Sequence, residues 1–357
     1  MQQNTSFFSS STMRIFLLAS FLFSGISAFA QLGGSSTYQY LNFPVASRIA
    51  GLGGTNLSTP SDDISFAYYN PALLNASMDK DLSLSHALMA GNINHGYIAY
   101  GDYLDSLNIT IHTGLLYRSY GSMQMYDVNG IQNGTFSANE FALVGGMSYQ
   151  SDKLSYGANL KFIWSQLESY SSVAAAFDLG MAYNDTAHLF SAGVVLKNIG
   201  TQFKPYVAGN REELPFEIQL GISQRLRYLP LRISITAHNL EQGDIRYDDP
   251  NVSTNQTFIT DTTSSDEKKY IADQIFSHII FAGEFYFGNN FSVQIGYDYM
   301  GRKELSLATK KGLTGFSIGM GLQVKKYAFY YSYDIYSVAG GSHMLTIGTN
   351  LNYFNKK

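Results

Sequence analysis

The sequence predicts an all-β fold, a transmembrane antiparallel β-barrel of about 14 strands preceded by a short N-terminal hatch, or plug. Three observations carry this expectation. From about residue 82 onward, apolar and polar residues alternate with the two-residue period of strands. The connections between these runs are tight on one side and mostly long on the other. Charged residues make up only 14% of the chain, against 27 Tyr, 24 Phe and 33 Gly.

That composition departs from the ~25% charge of soluble domains. A barrel accounts for it: lipid-facing positions exclude charge, aromatic girdles sit at both interfaces, and small residues fill crowded lumen positions. The absence of Cys removes disulfide and thiol chemistry. A net charge of −4 argues against a basic nucleic-acid surface, so no nucleic-acid partner is expected.

Residues 1–30 read as a cleaved signal peptide. Met13-Arg14 gives a short positive segment, Ile15 to Ile26 is almost unbroken apolar sequence, and Ala28-Phe29-Ala30 is a small-x-small cleavage pattern before Gln31. Met13 or Met1 can serve as the start. Beyond this segment no stretch approaches ~18 consecutive apolar residues, which excludes a helical membrane protein. The expected location is therefore the bacterial outer membrane.

Residues 31–80 differ from the rest. Pro44 to Gly54 suggests a short helix closed by glycines, and Ser61-Asp62-Asp63 a cap for a second that stops before Pro71. Roughly 50 residues are too few to fold alone, so this segment is expected to tuck into the barrel as a hatch or plug, with the barrel spanning 81–357.

Within the barrel, Val173, Ala175, Phe177, Leu179, Met181 and Tyr183 form one face of a run, opposed by Ser172, Ala174, Ala176, Asp178, Gly180 and Ala182. Comparable runs place strands near 82–90, 93–104, 107–119, 138–150, 153–166, 171–184 and 188–198. The second half adds 214–226, 230–240, 275–287, 291–301, 313–324, 327–338 and 342–353. Each is about the ten residues that a tilted strand needs to cross hydrocarbon. Even-numbered strands end in tight turns such as Ser151-Asp152 and Lys325-Lys326. Odd-numbered ones lead mostly into long connections at 120–137, 199–213, 241–274 and 302–312. In bacterial barrels the short side is periplasmic. Asn129-Gly130 and Asn133-Gly134 make 120–137 a projecting ribbon, whereas 241–274 reads as a polar surface loop.

Few motifs suggest chemistry. Gly315-Phe316-Ser317-Ile318-Gly319 spells G-x-S-x-G, but inside an alternating strand rather than the strand-to-helix turn a nucleophile requires. Ser77-Met78-Asp79-Lys80 and Ser265-Asp266-Glu267-Lys268 spell S-x-x-K without the partner boxes S-D-N and K-T-G. The seven histidines show no zinc spacing. Asp244, Asp248, Asp249, Asp261, Asp266 and Glu267 could hold calcium loosely, but a solvated acidic face explains them better. No catalytic, metal or cofactor site is expected, and no enzyme. Charged residues with lumen parity are Lys161, Asp178, Glu217, Arg225, Arg232, Glu284, Asp298 and Asp334. They read as pairs that lock the plug or fill the pore, or more sharply as a selectivity ring.

Arg48-Ile49-Ala50-Gly51-Leu52-Gly53-Gly54-Thr55, followed by Ser61-Asp62-Asp63 and Asn70-Pro71-Ala72, resembles the N-terminal signature of the FadL-like outer-membrane family. With Gly33-Gly34-Ser35-Ser36-Thr37-Tyr38 and Leu41-Asn42-Phe43-Pro44-Val45, residues 31–357 are most similar to its PorV/PorQ group, the barrels of the type IX secretion system. Thr55 stands where the family often has Ala, and Phe354 is followed by Asn355-Lys356-Lys357 rather than ending the chain.

The resemblance implies a 14-stranded barrel with an N-terminal hatch. It also implies a non-enzymatic role in a cell-surface attachment complex that anchors secreted cargo. The implied partners are a PorZ-like surface protein, the PorU/PorV attachment proteins and outer-membrane lipopolysaccharide. The alternative expectation is a FadL-like channel for hydrophobic solutes, which needs an apolar lumen path; the lumen-parity positions are polar or small. An outer-membrane phospholipase lacks any Ser/His/Asn arrangement here.

Overall fold

The computed structural model describes residues 36–245, 264–288, 290–304, 313–337 and 340–354. Residues 1–35, where the signal peptide is expected, and residues 246–263, 289, 305–312, 338–339 and 355–357 lie outside it.

Among the described residues, fourteen antiparallel strands, β1 to β14, close into a barrel in which each strand pairs with its sequence neighbours and β1 pairs with β14. Alternation decides the faces. On β4 (Gln132–Ser151) and β5 (Leu154–Leu167), Leu143, Met147, Leu160 and Phe162 are exposed on the outside, while Ala142, Val144, Lys161 and Ile163 are buried inside. Apolar side chains left exposed around a whole barrel have one compatible solvent, lipid.

Aromatic pairs bound this belt. Phe141 stacks on Trp164 with ring centroids 5.6 Å apart at one level, and Tyr149 lies opposite Tyr156 at the other. From 141 to 149 a strand rises about 27 Å along its own direction. A tilt of ~35–45° reduces this to roughly 20 Å along the membrane normal, close to the apolar band of outer-membrane barrels. An even strand number, an apolar outer belt and a polar interior together are outer-membrane architecture.

Both ends of the barrel chain and the tight turns share one end, the periplasmic one by the pattern of such barrels. At the opposite end β3 (Ile109–Tyr126) and β4 continue as a paired ribbon to Tyr126↔Gln132, with the pairing register shifting between Ser119 and Ser122. The connection at 120–137 is thus the projecting ribbon expected there, built as an extension of β3 and β4.

Other boundaries need correction. The 241–274 segment is not all loop: Ser264–Ser277 is a helix, and β10 (Ile279–Phe287) starts at 279 rather than 275. Ser264-x-x-Glu267 is the spelling of a helix-capping box, and Ile271 and Ile275 repeat at helical spacing. The run at 291–301 stops as a strand at Asp298, whose Oδ1 accepts the Met300 N–H at 3.0 Å, and Tyr299–Glu304 turns into a helix. β7 (Phe190–Lys204) runs six residues beyond its expected end at 198, and β8 (Glu217–Arg225) begins after Pro215.

Candidate functional site

The barrel lumen is filled by residues 36–80, which contribute no strand to the barrel. Local sequence dictates their compact turns. Ser47–Ala50 forms one helical turn that ends in Gly53 and Gly54, both at φ 90°, where only glycine sits without strain. Asp63, Asn70 and Asn75 then each accept the backbone N–H two residues on, starting the 3-10 turns Ile64–Tyr68, Pro71–Leu73 and Ala76–Met78. Burial raises the Asp63 carboxyl pKa above its ordinary value, with the Ser65 N–H pulling the other way. Tyr40, Tyr68, Tyr69 and Phe66 are fully buried, and Tyr68 meets Tyr97 of β2 (Ile93–Leu104) edge to face at 5.4 Å.

The hatch is stitched to the wall all around. Arg48 binds Glu284 of β10 through Nε–Oε1 at 2.8 Å and Nη2–Oε2 at 3.0 Å. The Ser47 N–H donates to Thr346 of β14 (Gly340–Asn350) at 2.8 Å, and the Ser65 hydroxyl lies 2.9 Å from that of Ser83 on β1 (Asp81–Met89). Ser58 meets Ser223 at 2.7 Å, and Asn159 donates to the Ala67 carbonyl at 2.9 Å. Lys161 and Asp178, both fully buried, pair at 2.8 Å, with the ammonium 4.7 Å from the Tyr68 ring centroid.

Lumen glycines make this fit possible. A Cβ at Gly157 or Gly180 would meet Pro71 carbonyl carbon at 2.4 Å or Asn70 Oδ1 at 2.2 Å, and one at Gly296 would meet the Gly53 nitrogen at 2.1 Å. Gly101 and Gly193 likewise face hatch carbonyls at 2.6 and 2.5 Å, and Gly319 faces the Gly51 Cα at 3.2 Å. The wall is thus cut back at several strands to the shape of one inserted segment.

The lumen charges singled out by parity divide accordingly. Lys161 and Asp178 pair with each other; Glu284 takes a partner from the hatch; Glu217 lies 3.9 Å from Lys197 and 4.0 Å from His238. Arg225 and Arg232 flank the Tyr286 ring at 5.1 and 5.8 Å. Asp298 caps the helical turn described above, and Asp334 lies opposite Ser317 and Ser342 in register. Arg225 and Arg232 lie at the short-turn end and Asp298 and Asp334 at the other, so the eight charges share no one level and form no ring. Parity did not single out Arg48, Lys197 or Glu140; the last two follow the same alternation as their neighbours, and Arg48 sits in the glycine-closed helix already noted.

The motifs have structural work. Ser317 lies within β12 (Phe316–Val324), accepting the Gly53 N–H at 3.0 Å and donating to the Gly51 carbonyl at 3.2 Å. Lys80 pairs with Asp102, and Ser77 binds Asn75, so that S-x-x-K forms no nucleophile–base pair. Asp248, Asp249 and Asp261 lie outside the described residues.

No protein-family model and no curated protein matches the chain. Solved structures do match. The toluene transporter TbuX of Ralstonia pickettii is 10% identical with a TM-score of 0.54, the match covering 87% of this chain and 99% of that one. The toluene transporter TodX of P. putida is 13% identical with a TM-score of 0.52 over 87% and 99% of the two chains. The monoaromatic hydrocarbon channel CymD is 10% identical with a TM-score of 0.51 over 85% and 96%. At these identities the likeness is one of fold.

Proposed function

We propose that the chain is a sealed outer-membrane barrel that works through its surface, as a scaffold of the type IX secretion attachment complex. The observation that carries the sealed state is the glycine-cut wall closed on the hatch by Arg48–Glu284, Ser58–Ser223, Ser65–Ser83 and Asn159–Ala67. A gate for hydrophobic solutes needs a seam that parts and an apolar way past it. Here the seam is tight: toward β2–β5 the hatch packs in one buried apolar cluster with Tyr97, Leu116, Val144 and Ile163, and elsewhere hydroxyl, amide and ion-pair contacts close it. The assignment to type IX secretion, with a PorZ-like protein, PorU and PorV as partners, rests on the sequence signature around Arg48 and Asn70-Pro71-Ala72. The fold comparisons do not speak for it.

The second reading, a channel for hydrophobic solutes, is favoured by a specific observation: TbuX, TodX and CymD, which share this fold, are transporters or channels of toluene and monoaromatic hydrocarbons. One experiment separates the two. Residues 246–263 are replaced by a short Gly/Ser link, and in parallel the ribbon is cut back to Ser122 and Ser137. A scaffold loses its surface partner and leaves cargo unanchored in at least one variant, while uptake of toluene-like solutes is unchanged. Loss of solute uptake on gene deletion, with cargo anchoring intact, establishes the channel.

A further inference from the structure

The short-turn mouth of the barrel holds an arginine pair that makes no ion pair of its own among the described residues, although Glu284 lies opposite Arg232 in register. Arg225, the last residue of β8, and Arg232, near the start of β9 (Leu231–Ala237), are directly opposite in register. Like charges directly opposite on one face repel. Both guanidinium groups lie within 6 Å of the Tyr286 ring, and Arg232 also donates to the Pro60 carbonyl at 3.2 Å. Among the described residues no carboxylate forms an ion pair with either one.

The natural candidate, Glu284, is already committed. Its Oε1 accepts from Arg48 and from Gln294 at 3.1 Å, and its Oε2 accepts from Arg48 and from the Tyr286 hydroxyl. Arg48 is thereby neutralised, and the two other arginines keep their charge.

They face a cleft of about 580 Å³ between the hatch and the ends of the strands, next to the tight turns after Gln150 and Asn184. Its wall is rich in small hydroxyl and amide groups, including Ser58, Ser61, Ser77, Ser155, Ser191 and Asn184, with Asp62 as a facing carboxylate. Two guanidinium forks against one carboxylate leave the cleft electropositive. Planar forks of this kind match tetrahedral oxyanions, and a phosphate monoester brings roughly −1.5 to −2 charge at neutral pH, close to what the pair lacks. A carboxylate brings half of that.

We propose that this mouth binds a phosphate monoester, held between Arg225 and Arg232 with the hydroxyls of its organic part against the serine wall. The site is polar and lies at the short-turn end, so it stands whether the barrel is a scaffold or a channel.

Titration calorimetry on the full-length, detergent-folded protein tests this. The probes are glucose 6-phosphate, glucose, and micelles with or without phosphatidic acid. Saturable binding is expected for at least one phosphate monoester and not for glucose. Tighter binding of glucose 6-phosphate assigns a soluble source, and tighter binding of phosphatidic acid a lipid headgroup. Arg225→Gln is expected to weaken it by about tenfold or more, and added salt to weaken it further. Arg225 is exposed at a strand end, so the variant keeps the barrel, verified by the shift in gel mobility on boiling. The proposal is overturned if no phosphate monoester binds up to about 10 mM, or if Arg225→Gln and Arg232→Gln both bind as the parent does.

Discussion

Arg48 and Glu284, 236 positions apart, are joined in the buried lumen by hydrogen bonds of 2.8 and 3.0 Å. Their side chains are only 7% and 2% exposed, so the charges have little water to fall back on. Removing one partner strands the other. Arg48→Ala or Glu284→Ala is expected to destabilise the folded protein by about 3–5 kcal/mol, while replacing both by apolar residues of similar size costs much less. Urea unfolding in detergent micelles measures this. Equal stability of the single variants and the parent would show that the pair does not fasten the hatch.

The lumen glycines give a second, steric test. Gly157→Ala and Gly296→Ala place a methyl group 2.4 and 2.1 Å from hatch backbone atoms, whereas Gly145→Ala meets nothing within 4 Å. The first two are expected to cost about 1–3 kcal/mol and to loosen the hatch, read as raised ion leak in planar bilayers. Gly145→Ala should match the parent in both. Three indistinguishable variants would mean that the hatch yields easily.

Much of the fold was legible because lipid and lumen impose opposite polarity on alternate residues. Alternation therefore reports face and strand together, as at Leu143/Val144 and Leu160/Lys161. It reports nothing about partners. Lys161 and Asp178 are lumen residues by parity, but that they meet each other, while Glu284 meets Arg48, follows only from barrel closure and from the path of the hatch. The helix at Ser264–Ser277 is hard to read from sequence because its composition is as polar as a loop, with little beyond the spacing of Ile271 and Ile275 to mark it. The Arg225/Arg232 pair was visible as two lumen charges, but not the commitment of Glu284 elsewhere.

Sidedness has its own measurement. Lys325 and Lys326 sit at the tight turn between β12 and β13 (Tyr327–Ser337), at the same end as the start of β1 and the end of β14. A protease applied to intact cells is expected to cut within 246–263 and to spare that turn until the outer membrane is opened. The reverse order of cleavage would invert the barrel, and simultaneous cleavage would argue against membrane insertion.

The central claim is that the hatch stays in place while the protein acts. The chain has no Cys, so a cross-link can be placed where the Ser58 and Ser223 hydroxyl oxygens lie 2.7 Å apart. In Ser58→Cys/Ser223→Cys, oxidation ties the hatch to β8, and reduction frees it. The measurement is surface anchoring of secreted cargo and uptake of a toluene-like solute, compared in oxidised and reduced cells. The expected result is equal cargo anchoring in both states. Uptake that is present when reduced and lost when oxidised, with anchoring indifferent to the protein altogether, would contradict a sealed scaffold and make the hatch a gate.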